Sequence, residues 1–205
     1  MAADEGVRSR LANAPFDDGA ADIVLRSSDG VDFRTYKLLL SLISSFFRDM
    51  LSLPHVGHGG SGAGAHTADR AGRPVVEMEE NGESLERLLR WCDPRCTSPS
   101  LSAWNDVETS VRMLVKYDAQ TALRRLSEAL QGSHLVFEAP IRAYSLAVRS
   151  GNRQLAQTAA REASRRGILE WETCQELEHI SGLAHHRLLR FHNQCTETAL
   201  RVVRE

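Results

Sequence analysis

Residues 1–19, MAADEGVRSRLANAPFDDG, are rich in Ala, Asp and Gly and show no periodic apolar pattern, so they are expected to form a disordered N-terminus. The first organised signal is Ala21-Asp22-Ile23-Val24-Leu25-Arg26, a short apolar run that reads as a strand. Ser27 to Gly30 supplies a turn, and Asp29-Gly30 can take the left-handed conformations that a tight hairpin needs. Val31 to Lys37 then alternates apolar with polar, the period of a half-buried second strand. Together they predict a β-hairpin. Leu38 to Leu51 is too long and unbroken for one strand; Ser44 or Ser45 can act as an N-cap and split it into two short helices, with Pro54 ending the second. Residues 55–74, HVGHGGSGAGAHTADRAGRP, have almost no apolar content and read as a flexible Gly/His-rich insertion.

Pro74 to Glu79 restores a strand-like pattern. Asn81 to Ser84 is a turn, with Ser84 expected to cap a helix carrying Leu85, Leu88, Leu89 and Cys92. From Trp104 the period is helical. Val107, Val111, Leu114 and Val115 fall on one face, Ala122, Leu126, Ala129 and Leu130 on the next, and Gly132-Ser133 breaks the run. Three further helices are predicted: one led by Pro140 in its first turn, one from Leu155 to Ala163 stopped at Gly167, and one from Trp171 to about Asn193. The last carries a stripe of Leu177, Ile180, Ala184, Leu188 and Phe191. Three short strands followed mostly by helices predict an α+β fold with an all-helical tail. The expected division is a domain over 20–132 containing the insertion 55–74, then a helical extension over 133–200.

Composition narrows the class. At 205 residues with 42% hydrophobic content the chain can bury a core, which excludes wholesale disorder. No run approaches 18 apolar residues and the first 20 are polar, so neither a membrane span nor a secretory leader is expected; the expected location is intracellular, cytoplasmic or nuclear. Lys+Arg of 25 against Asp+Glu of 27 leaves a net charge of −2, and residues 119–205 hold 12 basic and 9 acidic side chains. That excess is too small to argue for a nucleic-acid partner. Cys92, Cys96, Cys174 and Cys195 are scattered and read as thiols.

Candidate chemistry is sparse. Gly57 to Gly62 spells G-x-G-x-x-G, but no strand precedes it and no helix follows, so a phosphate cradle is not expected. His55, His58 and His66 lack converging ligands, and Cys92-x-x-x-Cys96 has no partner pair at zinc-ribbon spacing, although His192 and Cys195 stand three apart further on. His185 and His186 read as ordinary helix histidines, one exposed and one flanking the apolar stripe. No nucleophile-elbow, P-loop or metalloprotease pattern occurs. The expectation is a non-enzyme with no metal and no cofactor.

Phe33, Tyr36, Lys37, Leu40, Ser44 and Phe47 follow F-x-x-Y-K-x-x-L-x-x-x-S-x-x-F, behind the strand Asp22-Ile23-Val24-Leu25. This resembles the BTB/POZ signature F-x-x-H-K-x-x-L-x-x-x-S-x-x-F, with Tyr36 in place of the usual His. Arg73 to Met78, Leu88 to Pro94, Val115 to Asp118, Ala139 to Ala147, Glu176 to Ser181 and Phe191 to Cys195 look like a fungal, basidiomycete-like lineage of BTB proteins with a helical extension. The resemblance implies a protein-interaction adaptor or scaffold whose partners are proteins: a second copy as a homodimer, an unknown client, or a cullin-type ubiquitin ligase. The alternative is a transcription- or chromatin-associated interaction protein without direct DNA binding. It also implies that Phe33, Tyr36, Leu40, Ser44 and Phe47 form a fold-signature core. Asp22 and Lys37 occupy the positions of a charged pocket beside the dimer interface. A local ion pair that orients the hairpin is the competing reading of those two.

Overall fold

The structure is a computed structural model that describes residues 9–53, 68–69, 71–166, 171 and 175–204. The expected stops at Pro54 and Gly167, the glycines of 57–62, His55, His58, His66 and Cys174 lie outside the described residues. The chain is mixed α+β and divides into two compact units, Met1–Pro99 with Thr109–Ala122, and Ser100–Glu108 with Leu123–Glu205. The division falls inside two helices rather than at Gly132, where the sequence pattern breaks.

The first unit is built on the hairpin. β2 (Ile23–Arg26) and β3 (Val31–Thr35) pair antiparallel, with Leu25 opposite Phe33. Gly30 takes φ of +79° and donates its N–H to the Ser27 carbonyl at 3.0 Å, closing the turn that Asp-Gly predicts. β3 buries Val31, Phe33 and Thr35 and leaves Asp32 and Arg34 half-buried, the two-residue alternation of its sequence. β2 is apolar without alternation, and Ile23, Val24 and Leu25 are all buried. It lies between β3 and β4 (Val75–Glu77), the latter pairing parallel to it. Arg26 stands opposite both Asp32 and Glu77, pairing with them at 2.6 and 3.4 Å.

Residues 9–19 depart from the expected disorder. β1 (Arg10–Leu11) pairs parallel with β3 at Val31 and Asp32, completing the sheet order β1-β3-β2-β4. Phe16 is buried edge-on against Phe33, with ring centroids 5.8 Å apart. A two-residue strand carries too few positions to show alternation, and a lone Phe among Asp and Gly shows no period. Backbone pairing to an open sheet edge decides this segment, and composition does not report it.

After the hairpin come α1 (Lys37–Ile43) and α2 (Ser45–Ser52), split at Ser44, one of the two serines the sequence offers as the cap. α3 (Gly82–Cys92) follows β4, and its cap is Asn81 rather than Ser84: the Asn81 side chain accepts the Ser84 N–H at 2.9 Å. Phe33, Leu40 and Phe47, with Ile23, Leu85, Leu88 and Trp91, are all 1% exposed or less. The tail of the expected insertion is partly built: Ala68 bridges Pro74, and Asp69 accepts from the backbone and guanidinium of Arg73.

α4 (Trp104–Lys116) and α5 (Gln120–Gln131) lead into the second unit. On α4 the buried row is Val107, Ser110, Met113 and Leu114, and Val115 faces outward. Ala129 of α5 is likewise exposed, whereas Leu123 is buried. The second unit adds α6 (Leu135–Glu138), α7 (Pro140–Ser150) and α8 (Arg153–Ser164). α7 and α8 form a helical hairpin through Gly151, at φ of +71°, and Asn152, whose side chain accepts the Leu155 N–H. The single helix expected from Trp171 is instead a 3-10 turn (Gln175–His179), a break at Ile180-Ser181, and α9 (Gly182–Arg204). Ser181 accepts the Ala184 N–H and starts α9 afresh. Tyr144 donates its hydroxyl to the Ala184 carbonyl at 2.9 Å, tying α7 to that start.

Candidate functional site

α1 begins at Lys37 because Asp22 supplies its cap. The nominal cap residue, Tyr36, makes no capping bond; the Asp22 carboxylate, from the residue before β2, accepts the Lys37 backbone N–H at 2.8 Å. Asp22 also donates its own N–H to the Thr35 carbonyl. The sequence-predicted pair is therefore brought together, but through the main chain of Lys37. No ion pair joins the Lys37 ammonium to Asp22 among the described residues. The contact that orients the hairpin is a helix cap, not a salt bridge.

The Tyr36 side chain turns the other way. Its hydroxyl donates to Asp18 at 2.5 Å, and the Arg95 guanidinium lies 5.2 Å over its ring. Arg95 in turn grips the buried Asp93 carboxylate with its fork, at 2.7 Å for the closest contact. The hydrogen bond to Asp18, with burial adding to it, pushes the Tyr36 phenol up. Tyr36 is thus a strut that holds residues 17–18 and 93–95 against the start of α1.

Ser44 fastens the α1–α2 junction. Its hydroxyl accepts the Phe47 N–H at 3.1 Å and donates to the Tyr117 carbonyl at 2.5 Å. Ser45 bonds Asp118 beside it. Phe47 stacks face to face on Tyr117 with centroids 5.2 Å apart, and Phe46 meets both rings edge-on. The Tyr117 hydroxyl donates to Glu80, and the Lys116 ammonium pairs with Glu80 at 2.5 Å and Glu79 at 2.9 Å. Burial, reinforced by the bond to Glu80, pushes the Tyr117 phenol up. Burial would raise Glu80 too, but hydrogen bonds from Lys116 and Tyr117 outweigh it and hold the carboxyl below its usual range. These contacts make the cluster a clamp that holds the α1–α2 junction, residues 79–80 and residues 116–118 together.

Among its described residues the first unit also turns large apolar side chains outward. Leu38 and Leu42, one turn apart on α1, are 70% and 72% exposed, while Leu40 between them is buried. Phe46 on α2 is 46% exposed. Residues at i and i+4 share a helix face, so Leu38 and Leu42 form one outward row. The sequence pattern lists α1 only as an unbroken apolar run; the signal that separates 38 and 42 from 40 is the helical period, read only once Ser44 has fixed the register.

The remaining candidates do not converge. Cys92 and Cys96 are buried thiols, Cys195 is a half-buried one, and among the described residues no three His, Cys, Asp or Glu side chains group as metal ligands. His185 and His186 are both exposed, so neither flanks the stripe closely. The His192 ring meets Trp171 edge-on at 5.3 Å, and Trp171 donates to the Ala163 carbonyl. No helix among the described residues is long and apolar enough to cross a membrane. Comparison with protein-family models and with curated proteins finds no match for the chain.

Proposed function

We propose that this chain is a non-catalytic protein-interaction module of BTB/POZ type, an adaptor or scaffold that self-associates through α1. The observation that carries the reading is the row Leu38–Leu42: two large apolar side chains held outward on a helix whose inner side is locked by Asp22, Ser44 and Leu40. Solvent exposure of such a pair is tolerated singly, but an ordered apolar row on a fixed helix is what a protein interface uses. The hairpin–helix–helix–strand–helix order and the burial of Phe33, Leu40 and Phe47 support the fold half of the proposal.

Light scattering of the purified chain tests it. The parent is expected at twice the monomer mass, and Leu38→Asp/Leu42→Asp at the monomer mass with an unchanged circular-dichroism spectrum. A parent that stays monomeric at about 0.1 mM, roughly a hundred times the micromolar range of weak interfaces, overturns self-association through this face. Recruitment of a cullin-type ligase is the finer role the resemblance implies, and binding of purified cullin to the full chain is its test.

A further inference from the structure

In the second unit the fold brings three arginines from two helices to one cleft. On α8, Arg153, Gln157 and Arg161 recur at i, i+4 and i+8 and share one exposed face; on α9, Arg187 stands one turn before Phe191. All five line the cleft, over a floor of Tyr144, Ala156, Ala160 and Leu188. Tyr144, Ala160 and Leu188 are buried, and Ala156 and Phe191 are half-buried. The Tyr144 hydroxyl is already committed to the Ala184 carbonyl, so this residue offers the cleft its ring alone. The open volume, about 350 Å³, seats a short segment of chain rather than a folded domain.

The charge of this cleft is uncancelled. Among the described residues no carboxylate lines it, and Arg153, Arg161 and Arg187 form no ion pair. Other arginines of the unit do: Arg142 holds Glu108 and Glu176, and Arg165 holds Glu162. Three free guanidiniums around an apolar floor favour an anionic occupant, and pairing this face with itself would set like charges together. Spacing then selects among anions. Arg153 and Arg161 lie eight residues apart on α8, about 12 Å at 1.5 Å per residue, with the neutral Gln157 between them. A single phosphate or carboxylate meets a guanidinium fork at one point. A row 12 Å long matches carboxylates repeated about four residues apart along an extended chain, at roughly 3.3 Å per residue.

We propose that the α8–α9 cleft binds an extended acidic peptide segment of a partner protein, which sets carboxylates on Arg153, Arg161 and Arg187 and an apolar side chain on the floor between them. The site lies wholly in the second unit and stands whether or not α1 pairs.

Fluorescence anisotropy with the full chain tests it, using the labelled peptide Gly-Glu-Glu-Leu-Phe-Glu-Glu-Gly. Saturable binding is expected, weakened by about tenfold or more in Arg153→Glu/Arg161→Glu and in Arg187→Glu, and by added salt. Arg201→Glu/Arg204→Glu changes the net charge as much as the first variant but acts elsewhere on α9, beside Glu197, and should bind within about twofold of the parent. All five arginines are exposed, so circular dichroism should be unchanged. Leu38→Asp/Leu42→Asp should bind the peptide as the parent does, which separates a failure here from a failure of self-association. The proposal is overturned if the peptide does not bind saturably, if its Lys-for-Glu counterpart binds equally well, or if the cleft variants bind as the parent does. It is also overturned if Arg201→Glu/Arg204→Glu weakens binding as much as Arg153→Glu/Arg161→Glu, or if phosphatidylserine vesicles or single-stranded RNA bind through Arg153 and Arg161 and the Glu peptide does not.

Discussion

Asp22 shows how a residue singled out by its charge can act through geometry. Its carboxylate accepts the first N–H of α1, so Asp22→Ala is expected to destabilise the fold by about 0.5–2 kcal/mol in urea unfolding. Lys37→Ala, which removes an ammonium that does not pair with Asp22, should stay within about 0.5 kcal/mol of the parent. Equal losses in the two variants would restore the ion-pair reading. Gly82 makes a similar point without a charge. Its N–H donates to Asp29 at 2.7 Å, and a Cβ there would lie 2.9 Å from Val31 Cγ2, a branched side chain buried in β3. Ala ordinarily gains up to about 1 kcal/mol over Gly in a helix. Here overpacking of about 1–3 kcal/mol should exceed that gain, so Gly82→Ala is expected to lower the urea midpoint. The sequence shows Asn81-Gly82 as a turn, but only the close approach of the hairpin tip makes the glycine a packing requirement.

Elements were legible where period and cap agreed. The hairpin has alternation on one strand, an Asp-Gly turn and an apolar partner, and it forms over those residues. The split itself was legible from the serines at 44 and 45, but which of them caps was not: Ser44 accepts the N–H three residues on, whereas Ser45 bonds Asp118. Two kinds of element were not. β1 exists by pairing with a strand twenty-one residues later, and short strands leave no internal signature. The break at Ile180-Ser181 was hidden because Leu177, Ile180, Ala184 and Leu188 keep helical spacing across it; Ser181 starts a new helix while the stripe persists. The candidate interaction row on α1 was half-legible: its residue types stood out, but which of them face outward depends on the register that Asp22 and Ser44 impose.

For the molecule taken together, the three tyrosines give one common expectation. Tyr36 is raised by its bond to Asp18, Tyr117 by burial and then Glu80, and Tyr144 by burial. A phenol whose folded value lies above its unfolded value near 10 keeps its proton longer in the folded state. The stability it contributes is complete below pH 10 and declines as the pH rises beyond that. Ultraviolet titration should therefore show less phenolate at pH 10 in the native protein than in the urea-unfolded chain at the same pH; equal amounts would contradict it. The open groove that the end of α8, at Arg161 and Arg165, makes with Ala199, Leu200 and Val203 of α9 was illegible for a different reason: the sequence marks Leu200 and Val203 as apolar, but α8 ending beside them is a tertiary fact. The same holds for the boundary between the units, which runs through α4 and α5 and not through Gly132. A cut-and-paste chimera joined at that glycine would leave Trp104, Glu108, Leu126 and Leu130 with the donor and strand Arg142 and Leu135 in the recipient, so a transplantable cassette must carry residues 100–108 and 123–132 along with the tail.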